Sequence, residues 1–455
     1  MRTSGLIPAA VLALLAFTAP ASAQEQERDA TRQNGLEQRV DELDQKVRIL
    51  QRQRELEQEA AAAKAKEAAA VVAGKDGFAL KSADGYWVVK LRGYVQLDSR
   101  TFGDDEGQLV DTFTLRRVRP VLEGTLARIY DFRVMPDFGE GKTTLFDAYL
   151  DARFDPALGL RAGKFKPPVG LERLQSATAI LFVERGFPTL LVPNRDLGLM
   201  LHGDVAGGVL GYELGYFNGV ADGDKRDLDT ANGKDVAARV MLQPFARRKS
   251  VALSGLRFGV AGTSGTERGT SSAPGLASYK TAGQTFFAYA KDALADGDRT
   301  RVSPQLYWSA GPVSLLAESV SSRQEVRAAD GDTTARLDHR AWQVSASWVV
   351  TGEATSWNGV KPKKPLLGPN GGGGALELAL RRHRIAFDSA AFPVFASPDK
   401  SSRSAAGWTV GLNWYVDRNV KFVLNYDRTS FRGGAPAGED REDERLLACR
   451  FQVSF

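Results

Sequence analysis

The stretch YWVVKLRGYVQLDSR, residues 86–100, decides the fold. Trp87, Val89, Leu91, Val95 and Leu97 fall on one face, and Lys90, Arg92, Gln96 and Asp98 on the other. A period of two is the mark of a strand with one face in an apolar medium. The same alternation returns in AWQVSASWVV (341–350), WTVGLNWYV (408–416), KFVLNYD (421–427) and CRFQVSF (449–455). The segments approach ten residues and are separated by turn chemistry, as in a transmembrane β-barrel. A soluble sandwich also alternates, but with shorter strands.

The rest of the chain supports that reading. Hydrophobic residues make up 43% and charged residues 25%, which excludes a helical membrane protein. The single long apolar run, residues 6–17, follows Arg2 and leads into an A-x-A site. This predicts a signal peptide over residues 1–23, cleaved after Ala23. A lone cysteine, Cys449, allows no internal disulfide. The formal charge of +5 falls to +4 without Arg2, so placement of charge matters more than its sum.

Leu36, Val40, Leu43, Val47 and Leu50 are spaced four, three, four and three, a heptad seam. Two clean heptads are marginal alone, so a periplasmic coiled-coil helix over residues 24–59 calls for partner copies. An Ala-rich linker is expected over 60–85, and an all-β, 16-stranded antiparallel transmembrane β-barrel over 86–455.

Sixteen strands are expected from loop lengths, because short periplasmic turns alternate with longer outer loops. Short turns are expected near 127–131, 155–158, 205–208, 246–250, 310–312 and 417–419. Residues 282–292 belong in an outer loop, and 352–374 form one long periplasmic turn. The segment PPVGLERLQSATAILFVERGFPTLLVPNR carries Leu171, Leu174, Ile180, Leu181, Phe182 and Phe187. Such a segment must bury those side chains, so residues 167–195 are expected to fold into the barrel as a constriction.

No catalytic or metal-ligand pattern is present, and no cofactor is expected. His202, His339 and His383 lack ligand spacing, and GEGKTT (139–144) lacks the first glycine of a phosphate loop. Nothing reads as nucleic-acid binding. The informative residues are basic and borne on strands: Arg92, Arg116, Arg117, Arg119, Arg133, Arg239 and Arg257. The inward segment adds Arg173, Arg185 and Arg195. Rings of guanidinium line anion pores, and the fork suits tetrahedral oxyanions. The competing reading pairs these bases with Asp131, Asp147, Asp151 and Glu123, as in a general porin. Arg116 and Arg117 are adjacent, so one points outward unless a bulge intervenes.

The motifs LRRVRPVLEGTL, DAYLDARF, LRAGKFKPPVGLE, FVERG, GYFNGVADGD and KDVAARVMLQPF resemble the phosphate-selective porin O/P family of Gram-negative outer membranes. The resemblance covers nearly all of the mature chain. It implies a homotrimer in outer-membrane lipid, passing phosphate or polyphosphate along an arginine ladder to an arginine on the inward loop. It implies Arg185 as the central arginine, Arg116 and Arg117 as wall partners and Arg92 as a neighbour below. Asp147 and Ser176 match a helping acid and hydroxyl. Ala177 stands where phosphate-selective members have a lysine, which points toward a broader inorganic-anion pore. The final Phe455 resembles the C-terminal aromatic that barrel-assembly machinery reads. A structural tether with a plugged barrel is the reading from another class.

Overall fold

The structure, a computed structural model, describes all residues except 1–18, 68, 75–76, 104–108, 228, 230, 249–250, 329 and 368–370. It forms two units, residues 1–69 and 70–455. The first holds a helix, Ala19–Glu67. The expected signal segment lies largely outside the described residues. The heptad positions are open to solvent on the single chain, with Leu36, Val40, Leu43 and Leu50 all about 60% exposed.

The second unit is a closed barrel of sixteen antiparallel strands. They are β1 (Trp87–Phe102), β2 (Thr112–Leu126), β3 (Tyr130–Asp137), β4 (Thr144–Asp155), β5 (Leu158–Phe165), β6 (Asp196–Val205), β7 (Leu210–Phe217) and β8 (Asp235–Leu242). Next come β9 (Arg257–Arg268), β10 (Leu294–Ala310), β11 (Val313–Arg327), β12 (Thr334–Val349), β13 (Ala375–Ala386), β14 (Ser402–Tyr415), β15 (Val420–Gly433) and β16 (Glu444–Ser454). Each pairs with its neighbour, and β16 returns to β1, from Leu446 opposite Phe102 to Ser454 opposite Tyr94. Closure leaves the main wall without an unpaired edge, as a bilayer requires.

Alternation sorts the last strand as its sequence implies. Leu447, Cys449 and Phe451 face outward, while Arg450 and Gln452 are buried inside. The Arg450 guanidinium grips Asp98 of β1 at 2.6 and 2.7 Å. The chain end meets β1 at Gly93, with mutual backbone hydrogen bonds of 2.9 Å to Phe455. A Cβ on Gly93 would stand 2.8 Å from the Phe455 ring and 3.0 Å from the Arg119 carbonyl oxygen, so a larger residue there would displace the terminal ring.

Below Gly93 another pair of strands continues the sheet. Residues 60–85 are not a plain linker. The helix runs on to Glu67, because its alanines, lysines and glutamate are strong helix formers. A hairpin, Ala70–Gly74 with Gly77–Lys81, then pairs with the foot of β1, placing Phe78 opposite Leu91.

Most connections on one side are tight, such as residues 156–157 between β4 and β5 and 311–312 between β10 and β11. The link expected as a short turn at 246–250 is longer, residues 243–256 with a helical turn, Val251–Ser254. Residues 282–292 do lie in a loop between barrel strands. There Thr285–Phe287 pairs with Tyr279–Lys280. Phe286 and Phe287 are fully buried and pack with Val320, Leu337, Ile385 and Phe431, on the inner faces of β11 to β15. The loop therefore fills part of the lumen.

Candidate functional site

Residues 167–195 enter the barrel, as their apolar content demands. Leu171, Ile180, Phe182, Val183, Phe187, Leu191 and Val192 are all buried. Hydrogen bonds from wall side chains hold the segment by its backbone. Asn425 accepts from the Val183 amide at 2.6 Å, and Lys421 donates to the Ile180 carbonyl at 3.0 Å. From the periplasmic turn, Trp357 also reaches inside. The Trp357 ring meets Tyr307 edge-on at 5.1 Å, and its carbonyl accepts from Gln175 of the inward segment at 2.9 Å.

Between these inserts remains a cavity of about 1220 Å³. Thirteen arginines and three lysines border it among the described residues, against eight carboxylates. This surplus of eight positive charges exceeds the +5 of the whole chain. A charged, low-dielectric cleft of this kind raises the local concentration of counter-ions.

Two bulges set the lining. In β2, Gln96 of β1 faces Arg117 while the next partner, Leu97, faces Leu115, which leaves Arg116 as the extra residue. Leu115 therefore stays outward, and Arg116 and Arg117 both turn in. In β4 the register slips likewise between Met135–Asp147 and Pro136–Leu145, which leaves Phe146 extra. Phe146 and Asp147 both border the cavity. Three cations surround the Phe146 ring: Arg119 at 4.0 Å, Lys225 at 4.3 Å and Arg195 at 5.0 Å from its centroid.

The basic groups divide into paired and crowded sets. Arg116 and Arg117 do not face Arg185. They meet Glu184, the residue before it, at 2.7 and 3.9 Å, and Arg100 joins at 2.9 Å. Burial alone would raise the Glu184 carboxyl, but Arg116, Arg117 and Arg100 outweigh it and hold it well below the usual range. Glu184 is a residue that sequence reasoning missed; its position next to Arg185 was the only available signal.

The four acids named as competing partners do take bases. Glu123 meets Arg92 at 3.0 Å and Asp147 meets Arg195 at 2.6 Å. Asp131 meets Arg153 at 2.7 Å and Asp151 meets Arg161 at 2.6 Å. Arg92 is half exposed and lies outside the cavity lining. Arg239 borders the cavity but pairs with Glu213 at 2.9 Å. Arg257 borders it with no side-chain partner among the described residues. Ser176 borders it with its hydroxyl 2.9 Å from that of Thr178. Ala177 is buried, and its carbonyl accepts from Gln96 at 3.0 Å.

The crowded set sits on the inward segment. Arg185 donates to the carbonyls of Glu172 and Gln175 at 3.1 and 2.8 Å. Lys166 donates to the carbonyls of Leu174 and Gln175 at 3.0 and 2.9 Å. Arg173 reaches the Thr189 carbonyl and the Asn194 side chain at 2.5 and 3.2 Å, leaving its Nε buried without a partner. Neutral oxygens thus hold three cations in place and leave their charge in excess. Burial first, then repulsion that Arg195 adds at each, pushes Arg173 down to about 9 and Arg185 to about 10 and drives Lys166 well below its ordinary value, while Glu172 opposes the shift at both arginines. An anion placed among them relieves both effects.

The histidines do other work. His202 bonds Asp151 at 2.8 Å, His339 bonds the Tyr289 hydroxyl at 2.7 Å, and His383 stacks on Phe187 at 4.0 Å. GEGKTT forms the turn between β3 and β4.

No curated protein matches this chain by sequence. Among solved structures it resembles the outer membrane channel DcaP of Acinetobacter baumannii. There the identity is 13% and the TM-score 0.51, over 82% of this chain and 99% of that one. It also resembles a loop L8 deletion mutant of OmpT, an outer membrane protein of Vibrio cholerae. Identity is 9% and TM-score 0.50, over 81% of this chain and 100% of that one. These likenesses show the fold. The family model for phosphate-selective porins O and P matches residues 89–455, which is the whole barrel from β1 to the terminal phenylalanine. That match covers most of the chain and agrees with the closed antiparallel barrel, and the chain belongs to the phosphate-selective porin O and P family of bacterial outer-membrane channels.

Proposed function

We propose that this channel passes inorganic anions, phosphate or polyphosphate preferred, by passive hopping between weak basic sites. The observation that carries the proposal is the crowded set Lys166, Arg173 and Arg185, held by carbonyl and amide oxygens with no carboxylate in hydrogen-bond contact among the described residues. A site that binds a divalent oxyanion must still release it, and repulsion from flanking cations supports release. Arg185 is the central contact of this reading, with Arg173 and Lys166 beside it. Ser176 and Arg257 supply further contacts. Arg116, Arg117 and Asp147 tune the field through their ion pairs, Arg239 carries the basic lining toward its margin, and Arg92 stands beyond it.

The proposal extends to assembly. Export involves cleavage after Ala23, and Phe455 is read by the barrel-assembly machinery. Three copies then associate through the heptad seam and through the low wall, where β3, β5, β7 and β8 have only eight residues each. Strands so short fall below the nine to eleven or so that span a bilayer, so a neighbouring subunit suits that wall better than lipid.

Planar-bilayer recording tests the channel reading. Reversal potentials in a chloride gradient are expected to show anion selectivity, with phosphate blocking the chloride current. Arg173→Ala and Arg185→Ala should each weaken that block about tenfold, the worth of a charged hydrogen bond. Chloride conductance should change far less. Cation selectivity overturns the reading. Absence of conductance favours a structural tether, which the aromatic packing of residues 276–293 inside the lumen also suits.

A further inference from the structure

The outward face of the wall from β12 to β16 changes chemistry along its height. Toward the periplasmic end it is apolar, with Val344, Trp348, Leu378, Leu380, Val410, Leu412 and Leu424 exposed. Trp342, Trp408 and Tyr426 mark the next level, the position of an outer aromatic girdle. Arginines begin there. Arg382 stands opposite Trp408, Trp408 opposite Arg428, and Arg428 opposite Arg445, a single row across four strands. Arg384 stands opposite Trp342. One step further out lie Arg340 and Arg432. All six are exposed.

Two of them have acidic partners: Arg340 with Asp338 at 2.6 Å and Arg428 with Asp443 at 2.9 Å. Arg382, Arg384, Arg432 and Arg445 have neither an ion pair nor a side-chain hydrogen bond among the described residues. The periplasmic half of the same wall carries no outward charge in β12 to β16. An arginine on the lipid face is costly in mid-bilayer and tolerated near the interface, where its stem packs on apolar surface and its head reaches polar groups. Four unpaired guanidiniums within three successive rows, on one side of the membrane, match a layer of negative charge there.

We infer that this arginine belt binds the phosphate groups of anionic lipid headgroups in the outer leaflet. Guanidinium engages phosphate through two parallel hydrogen bonds, which suits it to a phosphorylated amphiphile whose chains lie along the apolar band below. Trp408 and Tyr426, 5.4 Å apart at the same level, give the headgroup and upper chain a flat surface to rest on. A second copy of the chain is disfavoured as occupant, because a belt of one sign needs an acidic counterpart. The belt lies outside the barrel and does not depend on what the lumen conducts.

The test uses full-length protein in neutral detergent with three additions: diphosphoryl lipid A, the same lipid with both phosphates removed, and inorganic phosphate. Diphosphoryl lipid A is expected to remain bound in native mass spectra and to raise the melting temperature, whereas the other two do neither. The combined variant R382Q/R384Q/R432Q/R445Q should bind it at least about tenfold more weakly, because each arginine lost removes a charge that attracts the anionic headgroup. Its oligomeric state and conductance should not change. Equal binding of the two lipids overturns the inference, and so does inorganic phosphate reproducing the shift. Dissociation of the variant into monomers with lipid binding intact assigns the belt to a subunit contact instead. If the variant does not fold, comparison of the two lipids on the wild-type protein still decides.

Discussion

The Arg116 guanidinium meets the Glu184 carboxylate at 2.7 Å although 68 residues separate them. One acid at the tip of the inward segment thereby restrains three wall arginines. Glu184→Gln should release them. Reversal potentials should move toward stronger anion selectivity, and unfolding should be easier by about 1.5–3 kcal/mol, the range for hydrogen bonds to charged groups. Acid should mimic the change. The folded carboxyl lies below its ordinary 4.5, so the pairing is complete above that value and is lost only as pH falls through the folded one. A variant that becomes less anion selective refutes this role.

Lys166 gives the opposite pH dependence. Its ammonium titrates well below the ordinary 10.5, because burial and then Arg195 and Arg185 disfavour the charge. The cation therefore costs stability at neutral pH and is shed as pH rises through the folded value. Sulfate keeps a fixed charge over this range, so its block of chloride current should weaken with rising pH in the wild type. Lys166→Gln should flatten that profile. An unchanged slope in the variant places the titrating group elsewhere.

Phe146 supports cations without neutralising them. Each cation–π contact is worth about 0.5–2 kcal/mol when desolvated. Phe146→Leu keeps a buried apolar side chain of similar reach but loses the ring. Phosphate block should weaken several-fold, while Phe146→Tyr retains it. Equal block in all three proteins would remove the ring from the account.

Trp357 fills lumen space from the periplasmic side. Trp357→Ala should raise single-channel conductance and destabilise by less than the about 3–5 kcal/mol of a fully buried aromatic, because its ring is only partly buried. Conductance at or below the wild-type level would mean that this turn does not restrict the path.

Features governed by local period were legible in the sequence. Trp87, Val89 and Leu91 alternate because one face meets an apolar medium, and loop lengths led to sixteen strands. Leu171, Phe182 and Phe187 announced an inward segment because they needed burial. The adjacent pair Arg116–Arg117 flagged a bulge. Partner choice was not legible. Glu184 reaches Arg116 only after the segment has folded in, and Arg92 drops out of the lining because closure at Gly93 sets its depth. The hairpin pairing Ala70–Gly74 with Gly77–Lys81 was hidden because its alanines continue the composition of the helix before it and are poor strand formers. Entry of Trp357 into the barrel depends on Tyr307 and Gln175, distant in sequence from it.

The slips at Arg116 and Phe146 have a further consequence. Facing along a strand is a two-valued quantity, and a single extra residue resets its parity. Removing Arg116 would leave Leu115 outward and Arg117 inward, opposite the same partners in β1. The same holds for Phe146 between Leu145 and Asp147. Pore chemistry can thus gain or lose a side chain by a one-codon insertion or deletion, with the lipid-facing surface unaltered.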